Sequence, residues 1–163
     1  MGTHNRVMGL GPGEYLEVIA VDPDAPSPDG ARWFDLDRRD GPPRLTNWIA
    51  RTDDLDGLVS RMPEAGRPVA VERGDLRWRM AVPEDGILPF DGCFPALIEW
   101  QSPPPVFPDT GLRLTALVLR HPEAATLAPV LASLTSDPRI TVEEGPLALA
   151  ARIATPAGER RLA

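Results

Sequence analysis

Two segments of the chain share one design, an apolar run that ends in a carboxylate. One run spans residues 13–19 and contains Glu17, and the other spans residues 93–100 and contains Glu99. Each follows a turn that carries Gly or Pro, and each has the pattern of a buried strand. A buried carboxylate destabilises a fold unless a donor or a cation pairs with it. We therefore predict a duplicated strand unit with one paired acid in each copy.

Composition and charge limit the classes of function. The chain has 163 residues, and the 42 % that are hydrophobic suffice for one domain or two small modules that share a core. The net charge of −7 argues against nucleic-acid binding. All 17 basic residues are Arg, which excludes Schiff-base chemistry on lysine. The single cysteine, Cys93, excludes an intramolecular disulfide and a multi-cysteine zinc site.

No segment has the pattern of a signal peptide or a membrane span. Residues 1–6 lack an apolar region, and no stretch approaches the roughly 18 apolar residues that a spanning helix needs. We therefore expect a cytoplasmic protein with no membrane partner.

Turn residues divide the chain into three blocks rich in strands. An incomplete first unit, residues 1–21, contains a hairpin over residues 5–21 that matches the last two strands of a unit, as if the chain began in the middle of that unit. A loop over residues 22–43 is long enough to act as a lid. Residues 44–102 have the order β-α-β-β-β, and after a Pro-rich linker at residues 103–111 the same order returns over residues 112–163.

Local patterns in the second block give specific predictions. A strand is expected over residues 45–50, and a helix after the capping candidates Thr52, Asp53 and Asp54. Strict alternation over residues 76–82 places Trp78 on the face opposite Arg79. A short helical turn is expected within the long loop, over residues 31–36.

The repeated unit with Glu on its last strand resembles the glyoxalase/bleomycin-resistance/dioxygenase (vicinal oxygen chelate) superfamily. Residues 2–17, which include Gly2-Thr3-His4-Asn5-Arg6 and end in Glu17, are similar to its glyoxalase-like domain family, of the glyoxalase-3 type, as are residues 48–55 and 95–100. The resemblance implies an α+β fold in which repeated β-α-β-β-β units form cupped mixed sheets with helices packed outside. It assigns residues 1–102 to the glyoxalase-like domain.

The resemblance also implies a metal site. In metal-using members, each unit supplies a His near the start of its first strand and a Glu on its last strand. Glu17 and Glu99 match the two Glu positions, whereas Asn47 and Ala116 fall at or near the positions of the His ligands. The expected metal ligands are Glu17, Glu99 and His4, and the expected metal is Mn, Fe, Ni or Zn. A protein without a bound metal is the alternative.

The same two acids are the candidate catalytic residues, as bases that move a proton. The alternative is a purely structural carboxylate, paired with Arg6, Arg79 or a backbone donor. Six residues are the candidate substrate contacts: His4, Asn5, Arg6, Trp48, Arg79 and Trp100.

The predicted function is action on a small molecule by metal-assisted lyase, isomerase or dioxygenase chemistry. The alternatives are a non-catalytic small-molecule binder of the resistance type and an assembly protein of the same fold. Because the hairpin of residues 5–21 leaves a sheet edge exposed, we also predict a homodimer, unless the gene start has been placed too far downstream.

Overall fold

A computed structural model describes all of residues 1–163 and has the α+β composition that the sequence predicts. Neither of its α-helices has the length and apolar character needed to cross a membrane. The helices are α1 (Leu55–Arg61) and α2 (Ala124–Leu134), and short 3₁₀ segments lie at Trp33–Arg38, Pro63–Ala65 and Pro89–Gly92. The strands are β1 (Thr3–Gly11), β2 (Glu14–Val21), β3 (Ile49–Arg51), β4 (Arg67–Arg73), β5 (Leu76–Val82), β6 (Ala96–Trp100), β7 (Arg113–His121), β8 (Ile140–Glu144), β9 (Ala148–Thr155) and β10 (Gly158–Leu162).

The chain divides into two compact units. The hairpin of β1 and β2 contributes its base to the first unit and its tip to the second. The first unit comprises Met1–Arg6, Glu17–Gly41 and Asn47–Pro105, and the second comprises Val7–Leu16, Pro42–Thr46 and Val106–Ala163.

A four-stranded mixed sheet in the order β3-β6-β5-β4 forms the centre of the first unit. Strands β3 and β6 are parallel, and the other pairs are antiparallel. Helix α1 begins after Asp54, whose side chain accepts a hydrogen bond of 2.9 Å from the Gly57 amide. The predicted capping region therefore starts the helix, and fully buried Leu55 anchors its first turn.

The other face of this sheet carries the core of the first unit. Alternation places Trp78 and Met80 of β5 on one face, and Ile98 of β6 lies opposite Met80 in the register. The 3₁₀ segment in the long loop adds Trp33 and Phe34 to this same buried cluster. The predicted loop of residues 22–43 thus packs part of itself onto the sheet.

A 3₁₀ segment, Trp33–Arg38, overlaps the helical turn predicted over residues 31–36, but its backbone is kinked. Phe34 and Asp35 adopt φ values of 60° and 58°, a left-handed conformation that bulky residues rarely take. A hydrogen bond of 2.8 Å from the Asp35 amide to the Gly86 carbonyl holds this turn. Regular helix is interrupted here because contacts with the loop after β5 decide the backbone conformation.

The second unit contains a four-stranded sheet in the order β10-β9-β7-β8, with β7 and β8 parallel. Its element order repeats that of the first unit, as predicted, but its strand order differs. The first strand of the earlier block, β3, lies at the sheet edge beside the last, whereas β7 lies inside the sheet between β9 and β8. The hydrophobic residues buried in this sheet and helix include Leu117, Leu119, Leu127, Leu131, Leu149, Ala151 and Ile153.

Candidate functional site

Glu99 lies on the helix side of the first unit's sheet, where several donors bind its carboxylate. The antiparallel register places Arg79 directly opposite it. Arg79 donates to Oε2 of Glu99 from Nε at 2.8 Å and from Nη2 at 2.6 Å. Gln101 donates to Oε2 at 2.6 Å, and the Leu55 amide at the start of α1 donates to Oε1 at 3.2 Å. The Glu99 side chain is only 12 % exposed, so this pairing stabilises a carboxylate that has lost most of its water.

Arg79 joins this carboxylate to the helix. Its Nη1 donates to both carboxylate oxygens of Asp56 in the first turn of α1, at 2.9 and 3.2 Å. Hydrogen bonds, first to Glu99 and then to Asp56, raise the pKa of Arg79 above its ordinary value. The guanidinium is therefore a fixed positive charge that links α1 to β5 and β6.

Glu17 lies in different surroundings, on the inner face of the hairpin. Asn5 donates from Nδ2 to Oε1 of Glu17 at 2.6 Å, and Arg73 of β4 donates from Nη1 to the side-chain oxygen Oδ1 of Asn5 at 2.7 Å. Alternation puts Ile19 on the same face as Glu17, and Ile19 packs against the core cluster around Trp78. The hairpin thus directs Glu17 to the side that carries the core cluster, with Oε2 left without a hydrogen-bond partner.

The structure brings together only some of the predicted site residues. Asn5 contacts Glu17, and Arg79 contacts Glu99. His4 and Arg6 are exposed and alternate onto the hairpin face opposite Asn5. The catalytic roles proposed for the two acids stay predictions, but the acids lie on elements that place them on different sides of the sheet.

The residues around Glu99 do not fit a divalent metal. Both of its carboxylate oxygens accept hydrogen bonds, and one of them already faces a guanidinium cation, which would repel a second positive charge. Nowhere in residues 1–163 do three or more His, Cys, Asp and Glu side chains form a group that could hold a metal ion.

The opposite side of the sheet carries aromatic rings from β5, from β6 and from the 3₁₀ segment of the long loop. Trp78 and Trp100 pack with ring centroids 5.5 Å apart, and Trp33 stacks on Phe34 at 5.5 Å. All four belong to the core cluster or pack against it. We call these four side chains the aromatic face, and we call residues 22–41, which carry Trp33 and Phe34, the strap.

Two indole groups of the aromatic face lack a hydrogen-bond partner. The Nε1 atoms of Trp33 and Trp78 are buried and unpaired, and these residues are only 5 % and 8 % exposed. The hydroxyl of Thr3, on the inner face of the hairpin, is also buried and unpaired. Trp48 differs, because its Nε1 donates to the Cys93 carbonyl at 2.9 Å.

Sequence reasoning selected Trp48 and Trp100 as candidate contacts and missed the two unpaired tryptophans. The alternation of residues 76–82 places Trp78 on the apolar face of its strand. This alternation is the sequence pattern that could have identified Trp78 as a site residue. Nothing in the sequence around Trp33 indicates that a loop residue becomes buried.

Cys93 does not supply a nucleophile at neutral pH. Its side chain is fully buried, and burial, with a further contribution from the charge of Asp91, raises the pKa of its thiol to about 11. A protonated thiol is a poor nucleophile.

The second unit has a charged cluster of its own. Arg139 contacts Asp137 and donates to Glu14 at 3.0 Å, which ties the start of β2 to the turn before β8. The side-chain hydrogen bond from Arg139 is the main reason that the pKa of Asp137 lies below its ordinary value. Each charge is paired with an opposite one, so the cluster serves to hold these elements together.

Comparison with known families gives one match. A family model described as a glyoxalase-like domain matches residues 1–135, from the start of the chain to the end of α2. No curated protein and no solved structure matches the chain.

Proposed function

Because the chain belongs to the glyoxalase-like domain family, we propose that it is a small-molecule-binding protein. Its ligand lies against the aromatic face, between the strap and the sheet, and is held without a metal ion. The observation that carries this proposal is the convergence of Trp33 and Phe34 from the strap with Trp78 and Trp100 from the sheet.

The composition of this face supports the proposal. Small-molecule sites are lined mainly by apolar and aromatic side chains, with a few polar groups that orient the ligand. Here the rings supply the apolar surface, and the unpaired indole groups of Trp33 and Trp78 supply the polar groups. A metal-assisted reaction at Glu99 is disfavoured, because that carboxylate lies on the helix side and binds Arg79.

A second candidate, metal-free proton transfer, rests on Glu17. Its Oε1 is fixed by Asn5, whereas Oε2 stays open on the side of the hairpin that faces the core cluster. A carboxylate oriented in this way has the chemistry of a general base. Glu17→Gln keeps the shape of the side chain, so it should leave ligand affinity within about threefold and abolish any turnover of small carbonyl compounds. Turnover that persists in this variant would exclude the second candidate.

The binding proposal is tested with protein that has been dialysed against EDTA. A panel of small aromatic compounds is added, and binding is followed by thermal shift and by two-dimensional NMR. Trp100→Leu removes a ring of the aromatic face but keeps the side chain apolar, and we expect it to weaken binding by about tenfold. Arg77→Ala is the control, because Arg77 is exposed and alternates onto the helix side of β5. Equal affinities for these two variants, or no binding by any compound, would contradict the proposal.

A further inference from the structure

The unpaired indole groups restrict the chemistry of the ligand. A buried N–H group without a partner is rare in native proteins and calls for a specific explanation. Here two such groups, on Trp33 and Trp78, belong to one packed cluster, one supplied by the strap and the other by the sheet. Since indole Nε1 can only donate, the missing partner must be a hydrogen-bond acceptor.

The surroundings of these donors favour an uncharged acceptor. The buried residues of this cluster are all hydrophobic, and the strap arginines Arg32, Arg38 and Arg39 are each ion-paired with Asp35 or Asp37, so neither set offers a free positive charge to an anion. The guanidinium of Arg79 projects from the opposite face of β5 and is already bound to Glu99 and Asp56. An anionic ligand at the aromatic face would lose its water without gaining a counter-charge.

We infer that the aromatic face binds a neutral aromatic compound that carries a carbonyl or ether oxygen, and that this oxygen accepts hydrogen bonds from Trp33 and Trp78. This inference rests on the proposed function and adds the ligand class to it. The rings of the four aromatic residues pack against the body of the compound, and the two N–H groups select the oxygen.

Trp33 and Phe34 of the strap are buried in the same cluster as Trp78, so a compound reaches the aromatic face only when the strap moves. The strap carries one of the two donors, and its turn at Phe34 and Asp35 is held in the left-handed conformation. Residues held in sparsely populated conformations are frequent at ligand clamps. The hydrogen bond from the Asp35 amide to the Gly86 carbonyl fixes this turn. Breaking that bond would let the strap move and would expose Trp33.

The test compares three probes of similar size on the full-length, EDTA-treated protein. Acetophenone carries a neutral carbonyl, α-methylstyrene has the same shape without the oxygen, and benzoate carries a negative charge. We expect NMR titrations to show that acetophenone binds about tenfold more tightly than either of the other probes. Trp33→Phe and Trp78→Phe keep a ring but remove the N–H, and each should reduce the preference for acetophenone over α-methylstyrene.

Trp48→Phe is the matched control, because its N–H is already paired with the Cys93 carbonyl and it lies outside the aromatic face. This variant should keep the full preference. Equal binding of acetophenone and α-methylstyrene overturns the inference and leaves the proposed function standing. A preference that survives in both Trp33→Phe and Trp78→Phe also overturns it, since recognition of the oxygen then does not depend on these indole N–H groups. Failure of all three probes to bind overturns both proposals.

Discussion

At the scale of single residues, Glu99 is held by four donors, two of them on Arg79. Through the Leu55 amide it also satisfies one of the free N–H groups at the start of α1. The negative charge of Glu99 therefore stabilises the contact between α1 and the sheet. A purely structural carboxylate is one alternative that the sequence leaves open for this residue. The observed contacts of Glu99 with Arg79 and with a backbone amide are those of that alternative.

The substitution Glu99→Gln should therefore act on stability. It removes the charge from hydrogen bonds in a side chain that is 12 % exposed, and we expect the free energy of unfolding to fall by about 2 kcal/mol. Glu72→Gln is the control, since its contact with Arg77 measures 3.4 Å and both side chains are more than half exposed, so its effect should stay within about 0.5 kcal/mol. Urea unfolding measures both. A Glu99→Gln protein as stable as the control would show that the charged hydrogen bonds of Glu99 do not stabilise the fold.

Asp137 in the second unit gives a prediction about pH. Its pKa lies below the ordinary value of 3.8, mainly because Arg139 donates to the charged carboxylate. Folding depresses this pKa, so the ionised Asp137 carboxylate stabilises the fold. This stabilisation is fully present above about pH 4 and is lost as the pH falls through the folded-state pKa. Asp137→Asn should therefore flatten the loss of unfolding free energy as the pH falls below about 4. Parallel pH profiles for the two proteins, measured by chemical denaturation, would count against this assignment.

Residue chemistry in the sequence indicated which acids need partners but not which partners they have. Glu17 and Glu99 both end apolar runs, yet one binds Asn5 and the other binds Arg79. The difference arises from strand register, which places Arg79 opposite Glu99 and depends on contacts far apart in the sequence.

At the scale of elements, the backbone of the strap lies against the loop after β5. Gly86 has a φ of +76°, and a Cβ atom added to it would lie 2.1 Å from the Arg32 carbonyl oxygen. The backbone of the strap thus approaches the loop after β5 as closely as a glycine allows.

The variant Gly86→Ala should loosen the strap. We expect the free energy of unfolding to fall by about 2–3 kcal/mol, because backbone strain and a clash with main chain act together. Gly74→Ala is the matched control. Gly74 has a φ of +60°, and no atom lies within 4 Å of an added Cβ, so this variant should lose only the roughly 1 kcal/mol of backbone strain. Hydrogen exchange of the Trp33 indole should become faster in Gly86→Ala than in Gly74→Ala. Equal rates would show that the strap does not depend on this contact.

Local patterns identified most elements but not the shape of the strap. The capping residues and apolar spacing predicted α1, which starts at Leu55 after its Asp54 cap. The strand predicted over residues 45–50 is limited to Ile49–Arg51, since only these residues pair with β6. The left-handed turn at Phe34 could not be predicted, because it is imposed by tertiary contacts against the preference of the residue itself.

At the scale of the whole molecule, the two β-α-β-β-β blocks share an order of elements but not a sheet topology. The periodicity of the sequence fixes the type and order of elements, whereas the choice of neighbouring strands depends on long-range packing. The family match ends at residue 135, so it includes the whole first sheet but only β7 and α2 of the second.

A homodimer stays a prediction at this scale. The hairpin of β1 and β2 forms a sheet of only two strands, and it carries the exposed apolar residues Val7, Met8, Val18 and Val21. Two copies of one exposed strand can pair around a two-fold axis, which satisfies both edges at once. Light scattering after gel filtration should give the mass of a dimer at micromolar concentration. A monomer across that range would contradict the prediction without affecting the proposed ligand site.

The central claim, that the aromatic face binds a neutral ligand without a metal, is tested most directly by NMR of the four tryptophan indoles. Acetophenone is titrated into EDTA-treated, ¹⁵N-labelled protein, and the indole resonances are assigned with single Trp→Phe variants. We predict that the resonances of Trp33 and Trp78 shift in a saturable manner while that of Trp48 stays in place. Indole resonances that do not respond, or that respond only after a divalent metal is added, would contradict the claim.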